Sequence, residues 1–350
     1  GTRTVISNVE ANVLYEIPES AATLAAPKSE RKLKPLFEDV SQVLNHSLPV
    51  KPTPEFSPLW SPIVQQPKPT LAWVDLDGDG WEDLYVETNW FRNDGKGGFT
   101  AIASGQTVRA ASIELPKEIR ERCRGFWRAV AVGDFDGDGR QDFVGGNLGQ
   151  NTKYESLRNK GVHLFTSDLG CLEAYGDLPL QPLHLVGAAL PWIRERFPTT
   201  DAYAKASFHE IHGEHLKRMT ELDLNWFEST VFLNRGKDYE AIPLPVEAQL
   251  APVSAICVAD FDGDGKPDLF LAQNLFVVHP DSSRLDAGRG LLLLGKGNGH
   301  FTAISGQESG IKIYGEQLAA AACDYDHDGR IDLVVTQTGG QTKLYHNVKR

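Results

Sequence analysis

The chain is poor in sulfur, with four cysteines and one methionine among its 350 residues. Cys123, Cys171, Cys257 and Cys323 lie far apart, and no two of them form a CxxC pair. The sequence therefore gives no support for a zinc site or an attached haem. The cysteines are either buried thiols or members of one or two disulfides, and the sequence leaves both alternatives open.

Long apolar runs and positive charge are also scarce. No run approaches the ~20 residues of a membrane-spanning helix, so we predict no membrane span in this chain. Lys and Arg number 35 against 47 Asp and Glu, which gives a net charge of −12. This balance argues against a nucleic-acid partner, because phosphate-backbone binding depends on basic surfaces. Hydrophobic residues make up 41%, which is enough for a buried core.

An acidic motif occurs four times without gaps and contains 16 of the 47 acidic residues. Each copy has the form D-x-D-x-D-G-x-x-D and leads into a run of apolar residues. The copies occupy residues 74–86, 133–145, 259–271 and 323–335. Their first aspartates are 59, 126 and 64 residues apart, so we expect a degenerate unit inside the long gap, at residues 163–175.

A strand, a Gly- or Asn-containing turn and a second strand recur beside the acidic motifs, at residues 89–105, 231–245 and 292–306. One unit thus predicts a four-stranded antiparallel blade: an inner strand, an acidic loop, a second strand and an outer hairpin. A single blade cannot bury both faces, so neighbouring units must stack. The predicted fold is an all-β β-propeller with five recognisable blades, and more are allowed.

The two ends of this array complement each other. The last unit stops at residues 342–350 without a fourth strand, while residues 36–41 resemble a fourth strand with no blade before it. We predict that they pair, since closure removes exposed sheet edges. Residues 19–34 have the composition of a linker, so the propeller is expected over 35–350. Residues 178–226 have helical spacing, which predicts a helical insertion in the third blade, with Thr200 or Asp201 as an N-cap.

The acidic loops predict calcium sites, because Ca²⁺ takes ~6–8 oxygen ligands and a sharp turn brings alternate side chains together. Oxygen ligands disfavour zinc and copper. The alternative without metal is an Asp/Gly-rich turn that bonds to its own backbone. We expect about four structural Ca²⁺ ions. The predicted ligands are Asp75, Asp77, Asp79, the Trp81 carbonyl and Asp83; Asp134, Asp136, Asp138, the Arg140 carbonyl and Asp142; Asp260, Asp262, Asp264, the Lys266 carbonyl and Asp268; and Asp324, Asp326, Asp328, the Arg330 carbonyl and Asp332.

These repeats, together with residues 145–157, resemble the FG-GAP/VCBS repeat family, and similar calcium loops occur in integrin α-chain propellers. Residues 284–311 resemble the members associated with an ASPIC/UnbV domain (the CRTAC1-like bacterial group). Residues 1–18 resemble the tail of such a domain, which implies a longer parent protein upstream. Two features depart from the pattern: His327 stands where the other loops have Gly, and the third unit lacks the aspartates.

The resemblance implies a calcium-binding module of a secreted, cell-surface or periplasmic bacterial protein. Its implied role is adhesion or recognition of a protein or glycan ligand. The alternatives are a carbohydrate-binding propeller and a polysaccharide lyase or hydrolase. We expect no enzyme, because the aspartates are committed to calcium and no other acid–base pair stands out. A nucleophile elbow and a phosphate loop are also absent from the sequence.

Two further side-chain sets have weaker functional interpretations. Trp90, Trp127, Trp192 and Trp226 can stack on sugars, although aromatic residues more often belong to the core. His209, His212 and His215 have a helical spacing that suits a transition metal. HExxH is absent, however, and a solvated helix face is the favoured interpretation of the three histidines.

Overall fold

The structure is a computed structural model that describes residues 35–47, 71–74, 79–86, 89–102, 116–155, 161–167, 170–276 and 284–348. Within these ranges the chain forms five four-stranded antiparallel sheets. The predicted β-rich architecture of four-stranded units is therefore confirmed. Closure of the sheets into one ring stays a prediction. The tail assigned to residues 1–18 and the linker at 19–34 lie outside the described residues.

Twenty strands are described. They are β1 (Phe37–Asp39), β2 (Leu71–Val74), β3 (Asp83–Val86), β4 (Asn89–Asn93), β5 (Phe99–Ile102), β6 (Ala129–Gly133), β7 (Asp142–Gly146), β8 (Val162–Ser167), β9 (Gly170–Tyr175), β10 (Leu178–Pro179), β11 (Thr220–Leu224), β12 (Thr230–Asn234), β13 (Tyr239–Pro243), β14 (Val253–Ala259), β15 (Asp268–Gln273), β16 (Leu291–Gly295), β17 (Phe301–Ile304), β18 (Gln317–Cys323), β19 (Asp332–Gln337) and β20 (Lys343–Asn347).

The described helices are short. They are α1 (Lys117–Arg122), α2 (Leu183–Ala189), α3 (Pro191–Arg196), α4 (Thr200–Lys205), α5 (Phe208–His212) and α6 (Gly306–Ser309). Single 3₁₀ turns occur at Ser41–Val43, Gly213–Arg218 and Val246–Gln249. None of the helices in the described ranges is long and apolar enough to cross a bilayer.

Four sheets are meanders with an acidic loop between their first and second strands. Their orders are β2-β3-β4-β5, β6-β7-β12-β13, β14-β15-β16-β17 and β18-β19-β20-β1. Every residue of β15 is buried, and so is every residue of β19 except the last. A strand that is apolar on both faces needs a neighbour on each side, which is why these sheets stack face to face.

The cores between the sheets give their stacking order. Val144 of β7 and Leu269 of β15 share one apolar cluster. Phe270 of β15 and Leu333 of β19 share a second, and Val334 of β19 and Leu84 of β3 share a third. The order is therefore the β6 sheet, the β14 sheet, the β18 sheet and the β2 sheet.

The predicted pairing of the chain ends is present. Strand β1 lies antiparallel to β20, with Phe37 opposite Asn347, and completes the last acidic sheet. The Phe37 ring is buried and meets the Phe261 ring edge-on at 5.9 Å between centroids. An early segment thus both caps a sheet edge and fills the core between the β14 and β18 sheets.

The degenerate unit predicted inside the long gap is a sheet of its own. Residues 162–224 form a separate sheet, ordered β10-β9-β8-β11, between the second and third strands of the β6 sheet. The hairpin at 231–245 belongs to the β6 sheet, because Val231 of β12 pairs with Val144 of β7. The third unit is therefore nested within the second along the chain, an arrangement that the motif spacing did not predict.

Helices α2 to α5 lie between β10 and β11, inside the segment for which the sequence predicts helices. Their apolar faces form a separate core with β8 and β9, which includes Val186, Ile193 and Phe208. The predicted N-cap is displaced by one residue, since the Thr199 hydroxyl accepts a hydrogen bond from the Ala202 N–H at 3.1 Å. Thr199 has the extended backbone that an N-cap requires.

All four cysteines lie in described residues and are free thiols, so the buried-thiol alternative holds and the disulfide alternative does not. Cys123, Cys171 and Cys257 are buried, and Cys323 is partly buried. Burial raises the pKa of the Cys171 and Cys257 thiols to about 12. Both are protonated and unreactive at neutral pH.

Phe37→Ala tests the contribution of the closing strand. Removal of a large buried ring is expected to lower the free energy of unfolding by about 3–5 kcal/mol. Glu38→Ala on the same strand is the matched control, because Glu38 is exposed and its loss is expected to cost under ~0.5 kcal/mol. Urea unfolding measures both variants. Equal stability of the two would show that β1 contributes little to the core.

Candidate metal centres

The last aspartate of each acidic loop is completely buried at the start of a second strand. These residues are Asp83, Asp142, Asp268 and Asp332, each with 0% exposure. In three of these residues, one carboxylate oxygen accepts a hydrogen bond from the backbone N–H of the second residue of the same loop. The donors are Phe135 at 2.9 Å, Phe261 at 2.9 Å and Tyr325 at 3.3 Å. This bond folds the loop back over the strand that follows it.

The other oxygen of each buried aspartate accepts a hydrogen bond from the last residue of the third strand of its sheet. The donors are the N–H groups of Asn93 at 2.9 Å and of Asn234, Gly295 and Asn347 at 2.7 Å. In the second, third and fourth loops the carboxylate therefore joins the acidic loop to the end of the third strand. Such charge-assisted bonds hold the ionised form in place even at a buried position.

The first aspartate of each described loop organises the turn itself. The Asp260 carboxylate accepts hydrogen bonds from the N–H groups of Gly263, Asp264 and Gly265 at 2.8 to 3.0 Å. Asp134 repeats all three contacts, and Asp324 repeats the last two. Aspartate at this place favours the turn by bonding backbone groups further along the chain. The side chains are thus held by the turn before any ligand binds.

Carboxylates converge in three of the four loops. Asp134, Asp136 and Asp142 form one group whose oxygens lie within 4.8 Å of one another, and Asp260, Asp262 and Asp268 form its equivalent. In the fourth loop Asp324, Asp326 and Asp328 form a third group. Two oxygens bound to one Ca²⁺ at ~2.4 Å are at most about 4.8 Å apart, so these groups fit a shared cation.

In the second and third loops, the aspartate at the fifth position does not join the other predicted ligands. Asp138 forms an ion pair with Arg140, and Asp264 forms one with Lys266 at 2.6 Å. Neither aspartate belongs to the converging group of its loop. In the fourth loop Arg330 pairs with Asp328 in the same way, yet Asp328 belongs to a converging group, so the ion pair alone does not exclude this position. The structure brings together positions 1, 3 and 9 in the second and third loops.

The first loop is only partly described. Asp75 and Asp77 lie outside the described residues, so their convergence stays a prediction. Asp79 accepts a hydrogen bond from the Trp81 N–H at 2.9 Å, and Asp83 is buried as in the other loops. The carbonyl ligands assigned to Trp81, Arg140, Lys266 and Arg330 also stay predictions.

The sequence reasoning missed His346 and Arg235. His346 forms a group with Asp326 and Asp332, with its Nδ1 at 3.4 and 3.2 Å from their carboxylates. Arg235 forms ion pairs with Asp136 and, at 3.7 Å, with Asp138. His346 is adjacent in sequence to Asn347, and Arg235 is adjacent to Asn234. The asparagine that recurs at the end of this strand was the sequence signal that could have pointed to both residues, because it marks the strand that ends beside the acidic loop.

His327 adopts a left-handed backbone with φ of 56°. The second and third loops have Gly137 and Gly263 at the equivalent position. A non-glycine residue is strained there, by roughly 1 kcal/mol or more. Its ring stacks on Trp81 of the first loop at 3.8 Å, and its Nε2 lies 3.3 Å from Glu82. The histidine that replaces the glycine of the other loops thus forms a contact between the first and fourth loops.

Burial is the main influence on the ninth-position carboxylates. It raises the pKa of Asp268 to about 6, with Asp262 adding repulsion and the backbone N–H groups opposing the rise. Burial also raises the pKa of Asp142 and Asp332, and for Asp332 the nearby His346 acts in the opposite direction. A bound cation would offset this burial cost and the repulsion between neighbouring carboxylates.

The histidine and tryptophan candidates do not form sites of their own in the described residues. His209 bonds Asp177 at 2.7 Å, His212 is buried, and His215 stacks on Trp192 at 4.7 Å. None of the three histidines belongs to a group of three or more metal-ligating side chains among the described residues. The described tryptophans Trp127, Trp192 and Trp226 are half-buried core residues, and the side chain of Trp90 lies outside the described part.

Two comparisons with known families match the acidic repeats. Residues 75–145 match the FG-GAP-like repeat model, and residues 253–282 match the FG-GAP repeat model. Two segments of the chain are therefore similar to FG-GAP repeats. These FG-GAP segments contain the first three acidic loops and support the predicted family. No curated protein matches the chain.

His327→Gly and His327→Ala separate backbone strain from ring stacking. Both variants lose the Trp81 stack, but only glycine relieves the positive φ. We expect the glycine variant to be more stable than the alanine variant by about 1 kcal/mol in urea unfolding. An alanine variant that is at least as stable as the glycine variant would contradict the left-handed geometry of this loop.

The raised carboxyl pKa values predict a pH dependence for the calcium-free protein. Asp268 has a pKa of about 6 when folded against 3.8 unperturbed, so the folded state binds more protons between these values. The unfolding free energy of the protein should therefore rise as the pH falls through 6, by on the order of 1 kcal/mol between pH 7.5 and 5.5. Urea unfolding in chelator at pH 7.5 and 5.5 measures this. In Asp268→Asn this rise in unfolding free energy at the lower pH should be smaller. An unchanged rise would exclude Asp268 as its source.

Proposed function

We propose that the chain is a calcium-binding recognition module, in which cations fasten each acidic loop to the strand that follows it. The observation that supports this most is the repeated convergence of carboxylates at equivalent loop positions. Each group combines side chains fixed by the turn with others from the same loop or the following strand. Repetition of one geometry in separate sheets favours a shared ligand over chance clustering of surface acids.

Calcium fits these groups better than other common cations. The donors in the second and third loops are carboxylate oxygens, which suit hard cations, and turns of this kind suit the variable coordination of Ca²⁺. Binding adds two positive charges where burial disfavours the ionised Asp142 and Asp268. The proposed role of the ions is structural, since the ligands come from within one loop and its strand.

The proposed biological role is adhesion or protein recognition outside the cytoplasm. FG-GAP repeats are typical of extracellular proteins and suggest a module of this type. Stacked sheets provide a rigid scaffold on which loops and insertions carry binding surfaces. The nested sheet and helices α2 to α5 form such an insertion. We propose no catalytic role, and no described tryptophan favours the carbohydrate-binding alternative.

Chelation tests the metal proposal. Removal of Ca²⁺ is expected to lower the melting temperature, because an ion that binds only the folded state adds its binding free energy to stability. At a free calcium concentration about 100 times the dissociation constant, each site contributes about 2.7 kcal/mol. Thermal melts in calcium and in chelator measure the shift. Identical melting in both would contradict calcium binding.

Native mass spectrometry tests where the ions bind. Asp260→Ala is expected to retain one ion fewer than the parent protein, because it removes a carboxylate of the third group. Asp286→Ala is the matched control, since Asp286 is exposed and lies outside the acidic loops. Loss of an ion from both variants, or from neither, would contradict the assignment of the third loop.

A further inference from the structure

A cavity of about 360 Å³ opens on the β14–β17 sheet, at the end opposite its acidic loop. Gln273 at the end of β15, Leu291 at the start of β16 and Ile304 at the end of β17 are among the residues that line it. The remaining walls come from the segments around Arg289 and Lys312 and from the turn at 246–250. None of its lining residues belongs to the converging acidic groups.

The inner wall carries a buried amide without a partner. Gln273 is only 2% exposed, and its Nε2 has no hydrogen-bond partner in the part of the chain that the structure describes. Gly288 packs so closely against it that a Cβ there would lie 2.5 Å from the Gln273 Cβ. An unpaired buried donor costs free energy, but this Nε2 is itself shielded, so Gln273 forms the floor of the cavity rather than a ligand contact.

Two unpaired cations lie at the same cavity. The Ile313 N–H bonds the Arg289 carbonyl at 2.8 Å, which places the backbones that carry Arg289 and Lys312 side by side. Both side chains are exposed, and neither forms an ion pair within the described ranges. Arg289 lies 5.1 Å from the Tyr314 ring centroid, which orients its guanidinium along the rim. In a chain of net charge −12, cations without carboxylate partners favour an anionic ligand.

The rim is apolar. Tyr314 is 63% exposed and Leu250 is 41% exposed, and both line the cavity. Val246, also 63% exposed, lies in the same 3₁₀ turn as the lining residue Glu247. These are three of the five large hydrophobic residues exposed in the described chain. Their clustering around one opening marks a binding surface rather than scattered exposure.

We propose that this cavity docks an acidic side chain of a partner protein, with apolar neighbours of that side chain packed on Val246, Leu250 and Tyr314. The ligand carboxylate would lie between Arg289 and Lys312. The aliphatic side chains of Val246 and Leu250 beside the opening favour the apolar side chains of a peptide. The inference rests on the proposed recognition role but not on calcium binding.

Two carboxylates, Glu308 and Glu247, also line the cavity, and they differ in their expected effect on an acidic ligand. Glu308 accepts a hydrogen bond from the Ser305 hydroxyl at 2.8 Å in a capping box, so its charge is committed to the start of α6. Glu247 is exposed on the rim and would repel an acidic ligand. Replacement of Glu247 should therefore strengthen binding, whereas replacement of the two cations should weaken it.

The test uses the calcium-saturated protein and two probe peptides, acetyl-Leu-Glu-Leu-amide and acetyl-Leu-Gln-Leu-amide, measured by titration NMR. Millimolar binding of the Glu peptide is expected, at least about tenfold tighter than that of the Gln peptide. The double variant Arg289→Glu, Lys312→Glu should abolish the preference for the Glu peptide, and Glu247→Gln should increase that preference. Lys296→Glu is the matched control, because Lys296 lies on the same sheet at the acidic-loop end, and it should leave the preference unchanged.

A second variant blocks the cavity without changing its charge. Ala287 lines the opening and is exposed, so Ala287→Trp should remove peptide binding while the melting temperature stays near that of the parent. Equal binding of the two peptides, or a preference that survives the double charge reversal, would overturn the proposal. Binding of digalacturonate without the Glu peptide would also overturn it in favour of a sugar. Peptide binding that persists in chelator would leave this site standing even if the calcium proposal failed.

Discussion

The buried ninth aspartate is the constraint on which the rest of the architecture depends. One of its oxygens holds the acidic loop and the other holds the neighbouring hairpin, so the carboxylate fixes the ends of three strands at once. The same residue is fully buried, and for Asp142 and Asp268 no Lys or Arg forms an ion pair with it within the described ranges. A group placed in this way favours a nearby cation. Structural and metal-binding roles therefore coincide in a single side chain.

The repeat was readable from the sequence because its chemistry is local. Alternate aspartates, a glycine where φ is positive and a following apolar run all lie within 13 residues, and local patterns of this kind dictate local structure. The pairing of Phe37–Asp39 with the last sheet was also predictable, since a missing strand and an orphan strand complement each other. Both predictions used only the strand count and the alternation of side chains.

Other features depend on contacts that the sequence does not reveal. The sheet at 162–224 interrupts the β6 sheet, whereas the motif spacing indicated only that a degenerate unit lies in the long gap. Asp138 and Asp264 have the ligand motif but pair with Arg140 and Lys266 and lie outside the converging groups of their loops. His346 enters the fourth group from a strand with no acidic motif. In each case a contact between distant or competing side chains decides the outcome.

The two proposed sites divide the molecule by function. The third acidic loop occupies one end of the β14–β17 sheet and favours a cation that stabilises the scaffold. The cavity at the other end combines two unpaired cations with a partly apolar rim, which together favour an anionic partner. Rigid sheets that are fastened at one end can present a preformed surface at the other, which lowers the entropy cost of binding.

Anomalous diffraction from crystals grown in calcium is the most direct test of the central claim. The account predicts density peaks within roughly 2.3–2.6 Å of carboxylate oxygens of Asp134, Asp136 and Asp142, and of Asp260, Asp262 and Asp268. Loops that keep the same turns with no cation between those carboxylates would contradict it, and would leave the aspartates with a purely structural role.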